Sequence, residues 1–233
     1  MPQLQSLVST VSPRRIRRGL RSAHRHFVFW RAMQRFLKDP EACAQPANPV
    51  LRDLIYGWGN AKWIALDAYL AACIQHALET QGPILECGSG LSTLLVGVIA
   101  QQRGQSHWVL EHTPTWAALV QRYLHTYALD CVVVCVSPLK DYGAYCWYEP
   151  PVASMPARFA LVVCDGPPGD TKGGRYGLAP VMRERLQAGC TILLDDAHRQ
   201  QEYAIAERWA AELGASFTLH GAPKTYVEMV VRG

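Results

Sequence analysis

The chain of 233 residues carries a formal charge of +4, and 49% of its residues are hydrophobic. This length and composition allow one substantial core, as single α/β domains reach, and no run of 18 apolar residues marks a membrane-spanning helix. The eight cysteines (Cys43, Cys73, Cys87, Cys131, Cys135, Cys146, Cys164 and Cys190) form no Cys-x-x-Cys pair, which excludes a disulfide framework or zinc site and points to a reducing, cytoplasmic setting.

Charge is spread unevenly. Residues 1–40 hold nine Lys/Arg against one acid, Asp39. The run Arg14-Arg15-Ile16-Arg17-Arg18-Gly19-Leu20-Arg21, continuing to Phe36-Leu37-Lys38, predicts a basic amphipathic helix. Residues 1–45 are read as an arm ahead of a single domain over 46–233. The arm lacks the apolar core and cleavage site of a secretory signal. Three readings stay open: a solvated helix packed on the domain, an organellar transit peptide, or a helix lying on an anionic membrane surface. The last draws on Phe27, Phe29, Trp30 and Phe36 among the basic residues.

Pro46 to Pro49 mark a loop, followed by Tyr56-Gly57-Trp58-Gly59, and a second helix is expected from Asn60 to Leu78 with Leu70, Ile74 and Leu78 on one face. Strands are then expected near 83–87, 107–111, 131–136, 159–164, 190–195, 215–220 and 225–231, with helices near 91–101, 114–128, 178–187 and 198–213. This alternation implies an α/β fold: a Rossmann-like, doubly wound, mostly parallel seven-stranded sheet preceded by N-terminal helices. The last two strands, joined by His220-Gly221-Ala222-Pro223-Lys224, read as an antiparallel hairpin.

The stretch Pro83-Ile84-Leu85-Glu86-Cys87-Gly88-Ser89-Gly90-Leu91-Ser92-Thr93 reads as strand, glycine turn and helix, the context in which a glycine motif binds a nucleotide. A dinucleotide site wants a third glycine and a pyrophosphate on the turn. Here Thr93 replaces that glycine, and Glu86 at the strand end repels pyrophosphate but suits an ammonium group. The ligand that matches is S-adenosylmethionine. Trp108-Val109-Leu110-Glu111-His112 supplies a second strand-end acid 21 residues after Gly90, the place from which a carboxylate accepts ribose hydroxyls.

The pattern Glu-x-Gly-x-Gly-x-Ser/Thr resembles the first motif of class I S-adenosylmethionine-dependent methyltransferases. By that resemblance Glu86, Gly88 and Gly90 line the methionine end, Ser89, Ser92 and Thr93 complete the turn, and Glu111 and His112 serve the nucleoside. The expected terminal hairpin suits the same family.

The apolar run Phe159-Ala160-Leu161-Val162-Val163-Cys164 ends in Asp165-Gly166-Pro167-Pro168-Gly169, and Cys190-Thr191-Ile192-Leu193-Leu194 ends in Asp195-Asp196-Ala197-His198-Arg199. Three carboxylates are thus expected at neighbouring strand ends, facing the crevice and contributing to cofactor binding through Asp165. They resemble the magnesium site of catechol-type O-methyltransferases, with Asp196 in place of an asparagine. The resemblance implies Asp165, Asp195 and Asp196 as ligands of Mg2+ or Mn2+, with a helix cap as the alternative role of Asp196. Asp165-Gly166-Pro167-Pro168-Gly169, Arg175-Tyr176, Asp195-Asp196-Ala197-His198-Arg199 and Glu202 also resemble bacterial sugar and secondary-metabolite methyltransferases.

The expected catalytic set is Asp165 and Asp195, with His198 as alternative base. The aromatic segment Tyr142-Gly143-Ala144-Tyr145-Cys146-Trp147-Tyr148 either covers the cofactor or acceptor or packs on the N-terminal helices. Gly173-Gly174-Arg175-Tyr176-Gly177 is either a lid with Arg175 holding an anion or an ordinary crossover loop. The expected activity is methyl transfer to a hydroxyl of a small molecule or glycan, with no nucleic-acid partner. An aminopropyltransferase of the same fold and a non-catalytic binding module are the alternatives.

Overall fold

The computed structural model describes residues 13–59 and 65–232. Helix α1 (Pro13–Lys38) leads through a 3-10 turn (Glu41–Cys43) to α2 (Pro49–Trp58) and α3 (Asp67–Glu79). Then follow β1 (Ile84–Cys87), α4 (Leu91–Arg103), β2 (His107–Glu111), α5 (Pro114–Thr126), β3 (Val132–Val136), β4 (Leu139–Asp141), β5 (Cys146–Tyr148) and β6 (Phe159–Cys164). The chain ends with α6 (Leu178–Met182), a 3-10 turn (Arg183–Arg185), β7 (Leu186–Leu194), α7 (Gln200–Leu213), β8 (Ser216–His220) and β9 (Tyr226–Val230).

Seven strands form one sheet in the order β3-β2-β1-β6-β7-β9-β8. The first five are parallel, and β9 runs antiparallel to both β7 and β8. This is the expected Rossmann-like doubly wound sheet with its terminal hairpin. Side chains alternate across it: Leu161, Val163 and Leu193 face a core built with α1 to α5, whereas Val162, Cys164, Ile192 and Leu194 face a second core with α6 and α7. Both faces are covered, which is why the parallel strands read as continuous apolar runs.

Several elements differ from the sequence reading. Helix α2 follows the loop expected over Pro46 to Pro49, in a stretch for which the sequence reading gives no helix: Asn48 accepts hydrogen bonds from Val50 N and Leu51 N, Pro49 sits in the first turn, and Gly59 closes the end at φ +73°. These are ordinary helix boundary signals. The expected start at Asn60 lies outside the described residues, and α3 begins at Asp67. The aromatic segment pairs as a small hairpin of β4 and β5. The helix expected over 178–187 gives way to strand at Leu186, because β7 carries an irregularity: Phe159 pairs with Leu186 but Leu161 pairs with Thr191, and Gly189 turns at φ +81°.

The arm is not separate from the domain. Phe29, Met33 and Phe36 of α1 are buried, and Phe29 meets the rings of Trp58, Tyr123 and Tyr127. A boundary at residue 45 would cut this core. Close approach of α1 to α2 depends on Gly57, where an added Cβ would lie 2.6 Å from Phe29 Cβ and 2.8 Å from its backbone. Alanine favours a helix over glycine by about 1 kcal/mol, yet backbone contact forces the helices apart at a cost of about 1–3 kcal/mol. Gly57→Ala is therefore expected to lower stability in urea denaturation. An unchanged or raised midpoint would show that the contact yields easily.

Candidate active site

The strand order reverses at β1, since β2 and β3 are laid on one side and β6 and β7 on the other. A crevice opens there at the carboxyl ends of β1 and β6, as in other doubly wound sheets. Two glycines form its floor. Gly88 turns at φ +84°, and a Cβ on Gly166 would lie 2.9 Å from Gly88 Cα. Backbone meets backbone here with no room for a side chain. Above them is a cavity of about 500 Å³, within the range of roughly 300–1,000 Å³ typical of small-molecule sites.

Of the expected cofactor residues, Gly88, Ser89, Gly90, Ser92, Glu111, His112 and Asp165 line this cavity. Glu86 and Thr93 do not. Glu86 is fully buried, accepting from Ser92 Oγ at 2.5 Å and lying 2.9 Å from His107 Nε2. Thr93 Oγ1 accepts from Gly90 N at 2.9 Å at the start of α4. The charge argument for Glu86 as a direct ammonium ligand therefore gives way to a supporting one: its carboxylate pins the glycine turn from beneath.

Glu111 faces the cavity and holds the turn from the other side. Its Oε2 accepts from Ser89 N at 3.1 Å and Ser89 Oγ at 2.8 Å, and its Oε1 accepts from Thr113 N at 2.8 Å. Sequence reasoning gave no role to Trp116, which lines the same wall and donates Nε1–H to Ser89 O at 2.7 Å. Trp58 packs edge-on against it at 6.1 Å. Tyr148 adds a third aromatic to the lining. Neither tryptophan stands in a motif, so sequence spacing could not single them out.

The three aspartates do converge, with one carboxylate oxygen of each within 4.8 Å of the others. Strand β7 has ended before them, and Asp196 sits at φ +64°, so consecutive residues reach one place. Asp196 makes no helix cap, because α7 starts after Arg199 without a side-chain cap. Cations already meet these oxygens. Arg175 Nη2 donates to Asp165 Oδ1 and Asp196 Oδ2, each at 2.9 Å, and its Nη1 donates to Asp195 O at 2.6 Å. Lys224 Nζ lies 3.0 Å from Asp195 Oδ2 and 2.8 Å from Asp196 Oδ1, and Arg199 Nη1 lies 3.0 Å from Asp196 Oδ2. Three carboxylates face three cations. The donor set is that of an internal salt-bridge network and does not fit a further divalent ion.

Desolvation, with the like charges of Asp195 and Asp196, pushes the Asp165 carboxyl up to about 7 against the pull of Arg175. Burial also works to raise Asp196, but Arg175, Lys224 and Arg199 outweigh it and hold that carboxyl below its ordinary value. Lys224 is raised, since Asp195 and Asp196 overcome the partial burial that opposes its charge.

The remaining expectations fare unevenly. His198 is exposed and is not among the residues lining the cavity. Gly173 to Gly177 is no lid: Arg175 is buried, and Tyr176 packs under Tyr145 and Arg208. The aromatic hairpin packs on the second core rather than on the N-terminal helices, with Trp147 and Tyr148 fully buried.

No family model matches the chain, and no curated protein matches it in sequence. Many solved structures share its fold. With SAH-bound methyltransferase PaMTH1 from Podospora anserina the TM-score is 0.58 at 16% identity, over 99% of this chain and 100% of that one. With precorrin-6y C5,15-methyltransferase from Geobacter metallireducens GS-15 it is 0.53 at 14%, covering 74% and 92%. With ribosomal protein L11 methylase from Lactobacillus delbrueckii subsp. bulgaricus it is 0.51 at 11%, covering 75% and 81%. At these identities the likeness concerns the fold.

Removing one partner from a buried charge network strands the others, at a cost of about 3–5 kcal/mol. Arg175→Met should therefore lose stability of that order in urea denaturation. A loss within the error of the measurement would mean that the guanidinium does not hold the strand ends together.

Proposed function

We propose that the protein is an S-adenosylmethionine-dependent methyltransferase acting on a hydroxyl of a small molecule or glycan. One observation carries the reading: the glycine floor at the switch point opens on a cavity with Glu111 on one wall and Asp165 on another. That is where a nucleoside and a sulfonium end find partners, and it occurs in a fold shared with an SAH-bound methyltransferase. Ser89, Gly90 and Ser92 then face the methionine part, and Glu111 and His112 the nucleoside.

Methyl transfer is an in-line displacement. The acceptor oxygen attacks the methyl carbon, the carbon–sulfur bond breaks with its electron pair left on sulfur, and the hydroxyl proton passes to a base. Much of the acceleration then comes from alignment of acceptor and sulfonium. Within the proposed catalytic set, Asp165 is the carboxylate on the cavity wall, whereas His198 stands outside it. We therefore assign proton removal to Asp165, with Asp195 fixing the cations beside it. Trp58 and Trp116 offer flat apolar faces suited to a ring or sugar acceptor.

Calorimetry tests the cofactor. Saturable binding of S-adenosylmethionine is expected, and Glu111→Ala should weaken it by about 1–3 kcal/mol, the cost of losing a charged hydrogen-bonding group. Preference for NAD would sink the assignment, and preference for the decarboxylated cofactor would favour aminopropyl transfer. With an acceptor in hand, Asp165→Asn should abolish turnover while cofactor binding stays measurable. Binding without transfer across a broad acceptor screen would leave a non-catalytic module.

We also propose that α1 rests on an anionic membrane surface. Leu20, Phe27 and Trp30 are exposed on the helix opposite its buried residues, and Arg21 and Arg35 are exposed beside them, whereas Arg25 lies over the Tyr56 ring and Arg31 pairs with Asp53 of α2. Basic residues near such a surface add about 1 kcal/mol each. No helix among the described residues is long and apolar enough to cross a membrane. Co-sedimentation with phosphatidylserine vesicles should be salt-sensitive and reduced by Phe27→Ser with Trp30→Ser. Equal sedimentation with neutral vesicles would refute an electrostatic surface role.

A further inference from the structure

The spacing of the three aspartates would admit an ion. Oxygens within 4.8 Å of one another can share a centre at hard-cation distances of about 2.0–2.6 Å. Charge decides against it, and the deciding residue comes from the far end of the chain. Lys224 stands in the turn between β8 and β9, and β9 pairs with β7 so that Val227 lies opposite Leu194. The hairpin tip is thereby held beside the point where Asp195 and Asp196 leave the sheet. Its turn is tight, since Gly221 at φ +82° has Lys224 O only 2.9 Å from where a Cβ would be. The Lys224 side chain is 20% exposed, bridges Asp195 and Asp196, and lines the cavity.

We propose that the Lys224 ammonium takes the place of a divalent ion among Asp165, Asp195 and Asp196, making the cluster a cation site filled by the chain itself. Arg175 shares the load from below through Asp165 and Asp196. The terminal hairpin is then part of the site: it presents a fixed positive charge to whatever enters the cavity. Lys224 acts as a positioning residue, holding two strand-end carboxylates in one orientation. This inference does not rest on the methyl-transfer reading, since it concerns only what neutralises the cluster.

The test uses Mn2+ as probe, followed by electron paramagnetic resonance on the full-length protein. Wild type should show no saturable uptake at millimolar Mn2+. Lys224→Ala removes the competing charge and frees Asp195 Oδ2 and Asp196 Oδ1, so it should gain Mn2+ binding tighter by roughly a hundredfold. Adding Asp196→Asn should abolish that gain. Lys224→Met, which keeps the aliphatic stem, repeats the measurement if the alanine variant fails to fold, and Lys224→Arg should stay silent. The proposal is overturned if wild type takes up one Mn2+ that Asp196→Asn removes, whether or not the variants fold. It is also overturned if folded Lys224→Ala or Lys224→Met, checked by circular dichroism, gains no Mn2+. Calorimetry with S-adenosylmethionine on the same samples reads the cofactor assignment separately.

Discussion

The buried guanidinium of Arg175 is the constraint around which the rest of the site is arranged. A charge taken out of water must find charged or strongly polar partners on every side, and Arg175 finds them at two strand ends at once. It binds Asp165 at the end of β6 and Asp195 O and Asp196 past the end of β7. The crossover that follows Asp165 must therefore fold back over the sheet rather than swing free. That is why a glycine-rich segment with the composition of a lid is instead a packed wall. Lys224 extends the same network to the terminal hairpin, so residues 59 positions apart in sequence, Asp165 and Lys224, close on one charge cluster.

The glycine turn shows the same economy on the opposite side. Glu86 looks, in sequence, like a ligand for a positive group. In the fold it is fully buried, one oxygen accepting from Ser92 Oγ and the other lying 2.9 Å from His107 Nε2. Glu111 grips Ser89 from the cavity side. A loop whose function is to present backbone to a ligand must itself be held, and two carboxylates do this from two directions. Trp116 adds a third hold through the Ser89 carbonyl.

What the sequence revealed and what it hid follow from physical range. The continuous apolar run Phe159–Cys164, the short strand Ile84–Cys87 with its single acid Glu86, and the glycine turn after it are local signals, and they mark the sheet and the crevice. Local signals also mark α2, but Pro46 and Pro49 read as a loop in sequence although proline is at home in a first helical turn. The boundary of β7 was hidden because a bulge absorbs residues that no periodicity reports. Side-chain partners of the aspartates were invisible for a different reason. Lys224 lies 59 positions from Asp165 and stands in no motif with it, and the pattern that holds Arg175 with Asp165 does not say that the two side chains pair. Only the strand order brings them together, so carboxylates with counterions and carboxylates awaiting a metal look identical in sequence.

Asp196 makes this concrete. In the catechol-type pattern that this segment resembles, an asparagine stands at the corresponding position, which leaves two carboxylates for a dication. An aspartate there adds a negative charge inside a buried cluster, and such a charge must be matched. Here Asp196 is the aspartate most heavily contacted by cations: Arg175 and Arg199 meet one oxygen, and Lys224 meets the other. The acid at 196 and the bases around it match one another in charge. An asparagine at 196 would leave Lys224 and Arg199 short of a partner, and a metal at the centre would leave them repelled. The residue that looked like a departure from a metal site is thus the one that fits a network built of side chains alone.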